Sequence, residues 1–258
     1  MSDEPGTTRR RWLIASAAAA LASFAIGVRA SFAAVYKAVA FDGFPIFDLR
    51  PVAAETEALF PGRGAALTAM WRTRQFEYQW LRALSGDYAD FLQTTRDGLI
   101  FAARALGLEL TAAARDELMS SYENLGVWPD VPMALKSLRA SGLRLCIVSN
   151  MTQRLLDGGL ERAGLTGALD HVLSTDSIRT FKPSPQAYGL GTKALGLAAR
   201  DILFVPFAGW DAAGAKAYGH PVFWLNRLQA PREEWGAAPD GMGRDMQDLL
   251  AYIAMPAH

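Results

Sequence analysis

Short apolar runs alternate with stretches of helical periodicity along most of the chain. Three runs predict strands: VYKAVAF stops at Asp42, LRLCIV stops at Ser149 and Asn150, and DILFVPFAGW stops at Asp211. A helix-like segment follows each of them. This alternation predicts an α/β fold built on a parallel sheet.

The polar residues that end these three runs are the first functional signal. In an open parallel sheet the ligand binds beyond the carboxyl ends of the strands, so these side chains are expected to meet in one crevice. The alternative is that Asp, Ser and Asn cap the helix that follows a strand. Three polar strand ends in one chain favour a site.

The segment SIRTFKPSP at 177–185 contains a lysine, Lys182. Two prolines prevent a helix across this segment, which is therefore predicted to be a loop. Taken alone, Lys182 is typical of a solvated surface. If it is held beside Asp42 instead, it lowers the pKa of that carboxylate and keeps it ionised.

Residues 52–127 are rich in helical periodicity and contain no strand-like run. We interpret them as a helical cap inserted into a core formed by residues 34–51 and 128–258.

One face of the predicted cap combines an arginine with aromatic residues, because Arg72, Phe76 and Gln79 or Trp80 recur at helical spacing. Aromatic residues at this spacing usually belong to a core. An arginine on the same face requires an anionic partner, which makes Arg72 a candidate anion contact.

Basic residues, an Ala-rich apolar run and a small-x-small site follow one another in residues 1–33. The stretch TRRRWL at 8–13 resembles a twin-arginine export motif. We expect the twin-arginine machinery to export the chain to the periplasm, with cleavage after Ala33. The alternative, a membrane anchor, is disfavoured because the run is shorter and more Ala-rich than a typical span of ~20 residues.

Composition narrows the possible partners. Lys plus Arg and Asp plus Glu both number 26 and are scattered, which gives no electrostatic case for nucleic acid and favours a small-molecule ligand.

The single cysteine, Cys146, excludes an intramolecular disulfide and lies in an apolar run, as expected for a buried, inert thiol. No Cys/His cluster has metal-ligand spacing. An aromatic-rich cap surface from Trp71 to Trp80 makes a homodimer plausible.

Together these features resemble the haloacid dehalogenase (HAD) superfamily, specifically its type II, or L-2-haloacid, dehalogenases. The resemblance extends from Tyr36 to about Ala251 and is carried by the motifs LFPGRG (59–64), WRTRQFEYQWLR (71–82), LRLCIVSN (143–150), FKP (181–183) and GWDAAGA (209–215). It implies a doubly wound HAD-like core with a helical cap over the strand ends.

The resemblance also implies a reaction. Asp42 displaces halide from C2 of a short 2-haloalkanoic acid, and water then hydrolyses the ester to give a 2-hydroxy acid of inverted configuration. The implied catalytic residues are Asp42 as the nucleophile and Arg72, which stabilises the departing halide. Lys182 pairs with Asp42, and Asp211 orients Lys182 and the hydrolytic water. The implied substrate-binding residues are Phe44, Phe76, Phe91, Ser149, Asn150, Tyr188 and Trp210.

Phe44 argues against the commoner phosphatase activity of this superfamily. Those phosphatases carry a second Asp two residues after the nucleophile as general acid, together with a magnesium ion. An aromatic side chain cannot protonate a leaving alkoxide, so we expect a metal-independent hydrolase with no cofactor.

The chain departs from the family pattern on one side of the nucleophile. Pro45 and Ile46 stand where Gly-Thr is usual, and Pro206 and Ala208 stand where Ser and Asn are usual. Each lost donor is expected to slow ester hydrolysis by about one to two orders of magnitude. The alternative function is therefore a HAD-like protein with impaired hydrolysis that binds small carboxylates.

Overall fold

The computed structural model describes residues 36–255. The export signal and the cleavage site expected after Ala33 lie outside the described residues. Within the described part of the chain, no helix is both long and apolar enough to cross a membrane.

Four parallel strands form the central sheet in the order β3-β2-β1-β4. They are β1 (Ala38–Phe41), β2 (Arg144–Ser149), β3 (His171–Ser174) and β4 (Ile202–Val205). The chain moves outward from β1 to β3 and then returns to the other side of β1. This reversal creates a crevice at the carboxyl end of β1, the position at which open α/β sheets bind their ligands.

A short parallel pair, β5 (Phe223–Leu225) and β6 (Gly241–Gly243), lies beside β4 through a bridge from Phe204 to Val222. The sequence does not predict β3, β5 or β6.

The third apolar run is not a strand along its whole length. It leaves the sheet after Val205, where Pro206 has no amide hydrogen for the ladder. Helix α8 (Gly209–Tyr218) then begins, so Trp210 and Asp211 lie in the first turn of a helix.

Both faces of the sheet are covered by helices. Strand residues alternate between the faces: Val39 and Phe41 join one core with α5 (Val131–Ala140), α6 (Gln153–Arg162) and α9 (Met246–Ala254). Ala38 and Ala40 join a second core with α7 (Pro185–Leu195) and α8. The predicted doubly wound α/β architecture is confirmed.

Cys146 lies in β2 within the second core. Burial raises the pKa of its thiol to about 12. The thiol is therefore protonated at neutral pH, which agrees with the expected inert role.

Four helices lie in or at the edge of the segment interpreted as the cap, and we call them the cap helices: α1 (Arg50–Leu59), α2 (Gly64–Ser85), α3 (Phe91–Ala105) and α4 (Ala112–Glu123). Helices α2 and α3 pack closely at Gly98, where an added Cβ would lie 3.0 Å from the Gln75 amide nitrogen. Trp71 is fully buried, contacts Tyr122 edge-on and donates through Nε1 to the Thr95 carbonyl at 2.7 Å. Trp71 thus belongs to the cap interior and cannot contribute to the aromatic surface expected from the sequence.

Candidate active site

Three charged side chains meet beyond the carboxyl end of β1. Asp42 directly follows that strand, Asp211 comes from the first turn of α8, and Lys182 comes from the loop before α7. Lys182 Nζ donates to Asp42 Oδ1 at 2.7 Å and to Asp211 Oδ2 at 2.6 Å. Because Lys182 is only 1% exposed, it is a buried ion-pair partner and not a solvated surface residue.

Two carboxylates share one ammonium in this cluster. Burial alone lowers the pKa of Lys182, but the charges of Asp211 and Asp42 outweigh it and hold that pKa above its ordinary value. Burial raises the pKa of Asp211 to about 6; the ammonium of Lys182 opposes this shift, and the charge of Asp42 adds to it. Both oxygens of Asp211 are held, by Lys182 and by Tyr188, and the side chain is absent from the lining of the cavity at Asp42.

Tyr188 hydrogen-bonds to Asp211 from within the second core. Its hydroxyl donates to Asp211 Oδ1 at 2.7 Å, and burial followed by the charge of Asp211 raises the pKa of the phenol well above its ordinary value. The side chain lies in the second core, between the sheet and α8, and is absent from the lining of the cavity at Asp42. The structure does not bring Tyr188 to the substrate-binding position expected for it, and its contact is with Asp211.

Asn150 is held in one orientation by three hydrogen bonds. Its Oδ1 accepts from the Lys182 amide at 2.8 Å and from Thr175 Oγ1 at 3.3 Å. Its Nδ2 donates to Oε1 of Gln79, a buried residue of cap helix α2, at 2.9 Å. The cap thereby fixes an amide of the core that lines the cavity.

Asp42 and Ser149 also stabilise the turns that follow their strands. Asp42 Oδ2 accepts from the Phe44 amide at 3.2 Å, and Ser149 Oγ accepts from the Met151 amide at 3.1 Å. These short local bonds are the ones expected if polar strand ends serve as caps. Both side chains also line the same cavity, so each of them caps the turn after its strand and belongs to the candidate site.

Aromatic residues of cap and core close over Asp42. Phe76 of α2 contacts Trp210 edge-on at 5.1 Å and stacks on Trp80 at 6.2 Å. Trp80 Nε1 donates to the Lys182 carbonyl at 3.2 Å, a second direct hydrogen bond from the cap to the site. The cavity has a volume of about 10 Å³, room for about one water molecule, and is lined by Asp42, Phe44, Phe76, Phe91, Ser149, Asn150, Met151, Lys182, Ala208 and Trp210.

Arg72 is not in this cavity. It lines a neighbouring cavity of about 100 Å³, which we call the Arg72 chamber. Its guanidinium lies 5.5 Å from the ring centroid of Phe207, and Phe207 contacts Phe44 at 6.0 Å. Phe44 lines the Asp42 cavity and Phe207 lines the Arg72 chamber, so the two cavities adjoin at this aromatic contact.

The residues that depart from the family pattern occupy three different environments. Ile46 is fully buried in the hydrophobic core, and Pro206 is bound through its carbonyl to the Leu225 amide at 3.0 Å. Neither lines the cavity. Ala208 does line it, so only this departure places an apolar group directly beside the expected position of water.

Sequence reasoning missed several residues around the site. Gln79 shares a predicted helix face with Phe76, but nothing in the sequence identified Asn150 as its partner. Thr175 and Phe207 carried no signal, because their contacts depend on how separate elements pack. Within residues 36–255, no group of three or more His, Cys, Asp or Glu side chains is arranged to hold a metal ion.

Comparison with known proteins identifies relatives of this arrangement. The family model of haloacid dehalogenase-like hydrolases matches residues 16–219. The (S)-2-haloacid dehalogenase of Pseudomonas sp. (strain YL) is 42% identical over 205 residues, which cover 79% of this chain and 88% of that protein.

Solved structures give the same result. The crystal structure of an L-2-haloacid dehalogenase is 42% identical, has a TM-score of 0.82, and matches 85% of this chain and 99% of its own. The L-2-haloacid dehalogenase from Xanthobacter autotrophicus with chloropropionic acid covalently bound is 35% identical, has a TM-score of 0.77, and matches 86% and 100% of the two chains. The chain belongs to the haloacid dehalogenase-like hydrolases, within the type II (S)-2-haloacid dehalogenase family.

Proposed function

We propose that the protein is a hydrolytic (S)-2-haloacid dehalogenase acting on short 2-haloalkanoic acids. The observation that carries this proposal is the buried Asp42–Lys182–Asp211 cluster beneath an aromatic roof. Asp42 attacks C2 of the substrate, the carbon–halogen bond breaks, and halide leaves with the bonding electrons. Water then attacks the carbonyl of the Asp42 ester, releasing a 2-hydroxy acid and regenerating the carboxylate.

The environment of Asp42 supports a nucleophilic role. The side chain is 7% exposed, and one of its oxygens is held by the Phe44 amide while the other is held by Lys182. Removal from bulk water makes a carboxylate a better nucleophile, and the two fixed donors orient it. Phe44, two residues on, offers no proton to a leaving alkoxide, so phosphoryl transfer is disfavoured.

The environment of Asp211 supports the hydrolytic step. Its pKa of about 6 suits a group that accepts a proton from water near neutral pH. Lys182 lines the cavity beside Ala208, whereas Asp211 is absent from the lining and is connected to the cavity through Lys182. The stabilisation of the departing halide by Arg72 stays a prediction, because Arg72 lines the Arg72 chamber and not the cavity at Asp42.

Halide release from (S)-2-chloropropanoate tests the proposal, with Asp42→Asn as the control variant. We expect release by the wild-type protein and none by the variant. Release that persists in Asp42→Asn, or its absence from the wild type across several 2-haloacids, contradicts the assignment.

Intact-mass spectrometry after incubation with substrate separates this function from that of a carboxylate binder. Transient mass addition that disappears on turnover supports complete hydrolysis. A stable adduct on Asp42 indicates displacement with impaired hydrolysis, which the apolar Ala208 favours. Binding without an adduct identifies a binder.

We further propose export to the periplasm by the twin-arginine machinery, supported by the motif at 8–13 and the small-x-small site before Ala33. The test is cell fractionation of the wild type beside Arg9→Lys/Arg10→Lys. We expect the wild type in the periplasmic fraction with its N-terminus near residue 34, and the variant retained as the uncleaved chain.

We also propose a homodimer that covers the outer faces of α2 and α3, where Leu81, Leu84 and Phe101 are exposed. Light scattering of the wild type and Leu84→Arg tests this. A wild-type mass equal to that of one chain contradicts it.

A further inference from the structure

A turn without polar side chains, residues 43–47, directly follows Asp42, and we call it the nucleophile turn. Its side chains carry no hydrogen-bonding group, so they cannot fix its conformation. Two internal bonds close the turn, from the amides of Ile46 and Phe47 to the Gly43 carbonyl at 3.0 and 2.9 Å. The next four carbonyls, those of residues 44–47, accept hydrogen bonds from outside the turn.

Trp128, in the loop before α5, binds three of these four carbonyls. Its Nε1 donates to the carbonyls of Phe44 and Phe47, at 3.0 Å each. Its backbone amide donates to the Ile46 carbonyl at 3.0 Å. The side chain is 8% exposed, so water competes little for these bonds.

Arg227, which follows β5, binds the remaining carbonyl. Its Nη2 donates to the carbonyl of Pro45 at 3.2 Å, and its guanidinium lies 4.4 Å from the centroid of the Trp128 ring. The same guanidinium makes two hydrogen bonds of 2.9 Å to Asp130, which also accepts from the Met246 amide at 2.9 Å. A bidentate pair of this kind fixes the plane of the guanidinium.

The nucleophile turn transmits this support to Asp42 through one residue. Trp128 holds the carbonyl of Phe44, while the amide of Phe44 donates to Asp42 Oδ2 at 3.2 Å. The Phe44 side chain lines the cavity at Asp42 as well. A nucleophile must meet its target carbon within a narrow range of distances and angles, so movement of this turn would misalign the carboxylate.

We propose that Trp128 and Arg227 are positioning residues for Asp42: they fix the carbonyls of the nucleophile turn, and the turn orients the carboxylate. Neither residue lines the cavity at Asp42, so both act through the turn and not on the substrate. The inference rests on the proposed function for the reaction that Asp42 performs. The state of the Phe44 amide, however, can be measured without turnover.

Amide hydrogen exchange, followed by NMR, tests the support directly. Trp128→Phe keeps an aromatic ring but removes the indole N–H. We expect the Phe44 amide to exchange about tenfold faster relative to the Asp42 amide, which bonds to the Val205 carbonyl of β4 at 3.0 Å. A merely structural role for Trp128 accelerates the two amides by the same factor and leaves their ratio unchanged.

Single-turnover kinetics test the consequence for the reaction. In Trp128→Phe, formation of the Asp42 ester from (S)-2-chloropropanoate should be about tenfold slower, while the inhibition constant of propanoate stays within about threefold. The matched control is Trp71→Phe, because Trp71 is also buried and donates through Nε1 to a carbonyl, that of Thr95 inside the cap. We expect this control to keep the rate within about twofold and the exchange ratio unchanged.

Arg227→Lys provides a second, milder variant. It keeps the positive charge beside Asp130 but loses the planar fork that reaches both that carboxylate and Pro45, so it should raise the same exchange ratio. An unchanged ratio in Trp128→Phe and Arg227→Lys overturns the proposal, as does ester formation by Trp128→Phe at the wild-type rate. A wild-type protein that forms no ester contradicts the proposed function instead, and the exchange ratio still decides whether the two residues hold the turn.

Discussion

At the level of single side chains, the charge of Asp211 is set by what surrounds it. Burial and the neighbouring Asp42 raise its pKa, whereas Lys182 and the hydroxyl of Tyr188 favour the ionised form. Its protonation state therefore responds to changes in residues that never touch the substrate.

The value of kcat/KM for (S)-2-chloropropanoate is expected to fall as the pH drops through about 6. Asp211 has a raised pKa of about 6, so it is ionised above that pH and neutral below it. Protonation leaves Lys182 paired with Asp42 alone, and the nucleophile becomes less reactive. A pH–rate profile measures this, and a flat profile between pH 5 and 7 counts against the role of Asp211.

Tyr188→Phe should move that acid limb to higher pH. The variant keeps the ring in the second core but removes the hydrogen bond of 2.7 Å that favours the ionised carboxylate. A purely structural role for Tyr188 predicts lower thermal stability with an unmoved limb, so the two readouts are distinguishable.

At the level of elements, helix α2 connects the cap to the chemistry of the core. Gln79 and Trp80, adjacent on this helix, contact Asn150 and Lys182. One turn earlier, Gln75 bonds Thr95 inside the cap. The same helix therefore provides matched positions with and without contact to the site.

Gln79→Leu is expected to lower kcat/KM about tenfold, because the amide of Asn150 loses the acceptor that fixes it. Gln75→Leu is the control: it removes a buried amide of the same type from the same helix. We expect it to lower the melting temperature while kcat/KM stays within about twofold. Equal losses of activity in both variants would show that cap stability alone is responsible.

Gly98→Ala should destabilise the cap by about 1–3 kcal/mol. The added Cβ would lie 3.0 Å from the Gln75 amide nitrogen and 3.3 Å from the Trp71 carbonyl oxygen, so α2 and α3 would have to separate. The midpoint of urea unfolding measures the change. Gly107→Ala does not serve as a control, because the φ of 65° at that position is itself strained for alanine.

At the level of the whole molecule, the site is a small cavity between cap and core. The cavity at Asp42 holds about 10 Å³, and its roof pairs Phe76 of the cap with Trp210 of the core. Substrates must therefore separate these rings when they enter.

Activity should fall steeply as the alkyl chain of the 2-haloacid lengthens from three carbons to six. Phe76→Ala should flatten this dependence by enlarging the roof, while lowering kcat/KM for the smallest substrate. Kinetics on a homologous series of acids provide the measurement. A wild-type preference for the longest acid is incompatible with a closed roof.

The sequence predicted the parts of this molecule that repeat a pattern and missed those that depend on packing. Alternating runs indicated β1, β2 and β4, and the strand-end residues Asp42, Ser149 and Asn150 do line one cavity. The resemblance supplied Lys182, which looks like a surface residue by itself. Nothing in the sequence indicated that Arg72 and Asp42 line different cavities, because this depends on where the ring of Phe207 lies in three dimensions.

The shared ammonium of Lys182 has a consequence for the order of events. Once Asp42 becomes an ester it is electrically neutral, and the charge that helped to raise the pKa of Asp211 is gone. Lys182 is then left to Asp211 alone, which favours an ionised Asp211 during the very interval when the ester awaits water. Formation of the covalent intermediate thus favours the ionised Asp211 that its hydrolysis requires. Once hydrolysis frees the carboxylate of Asp42, Lys182 again pairs with both carboxylates.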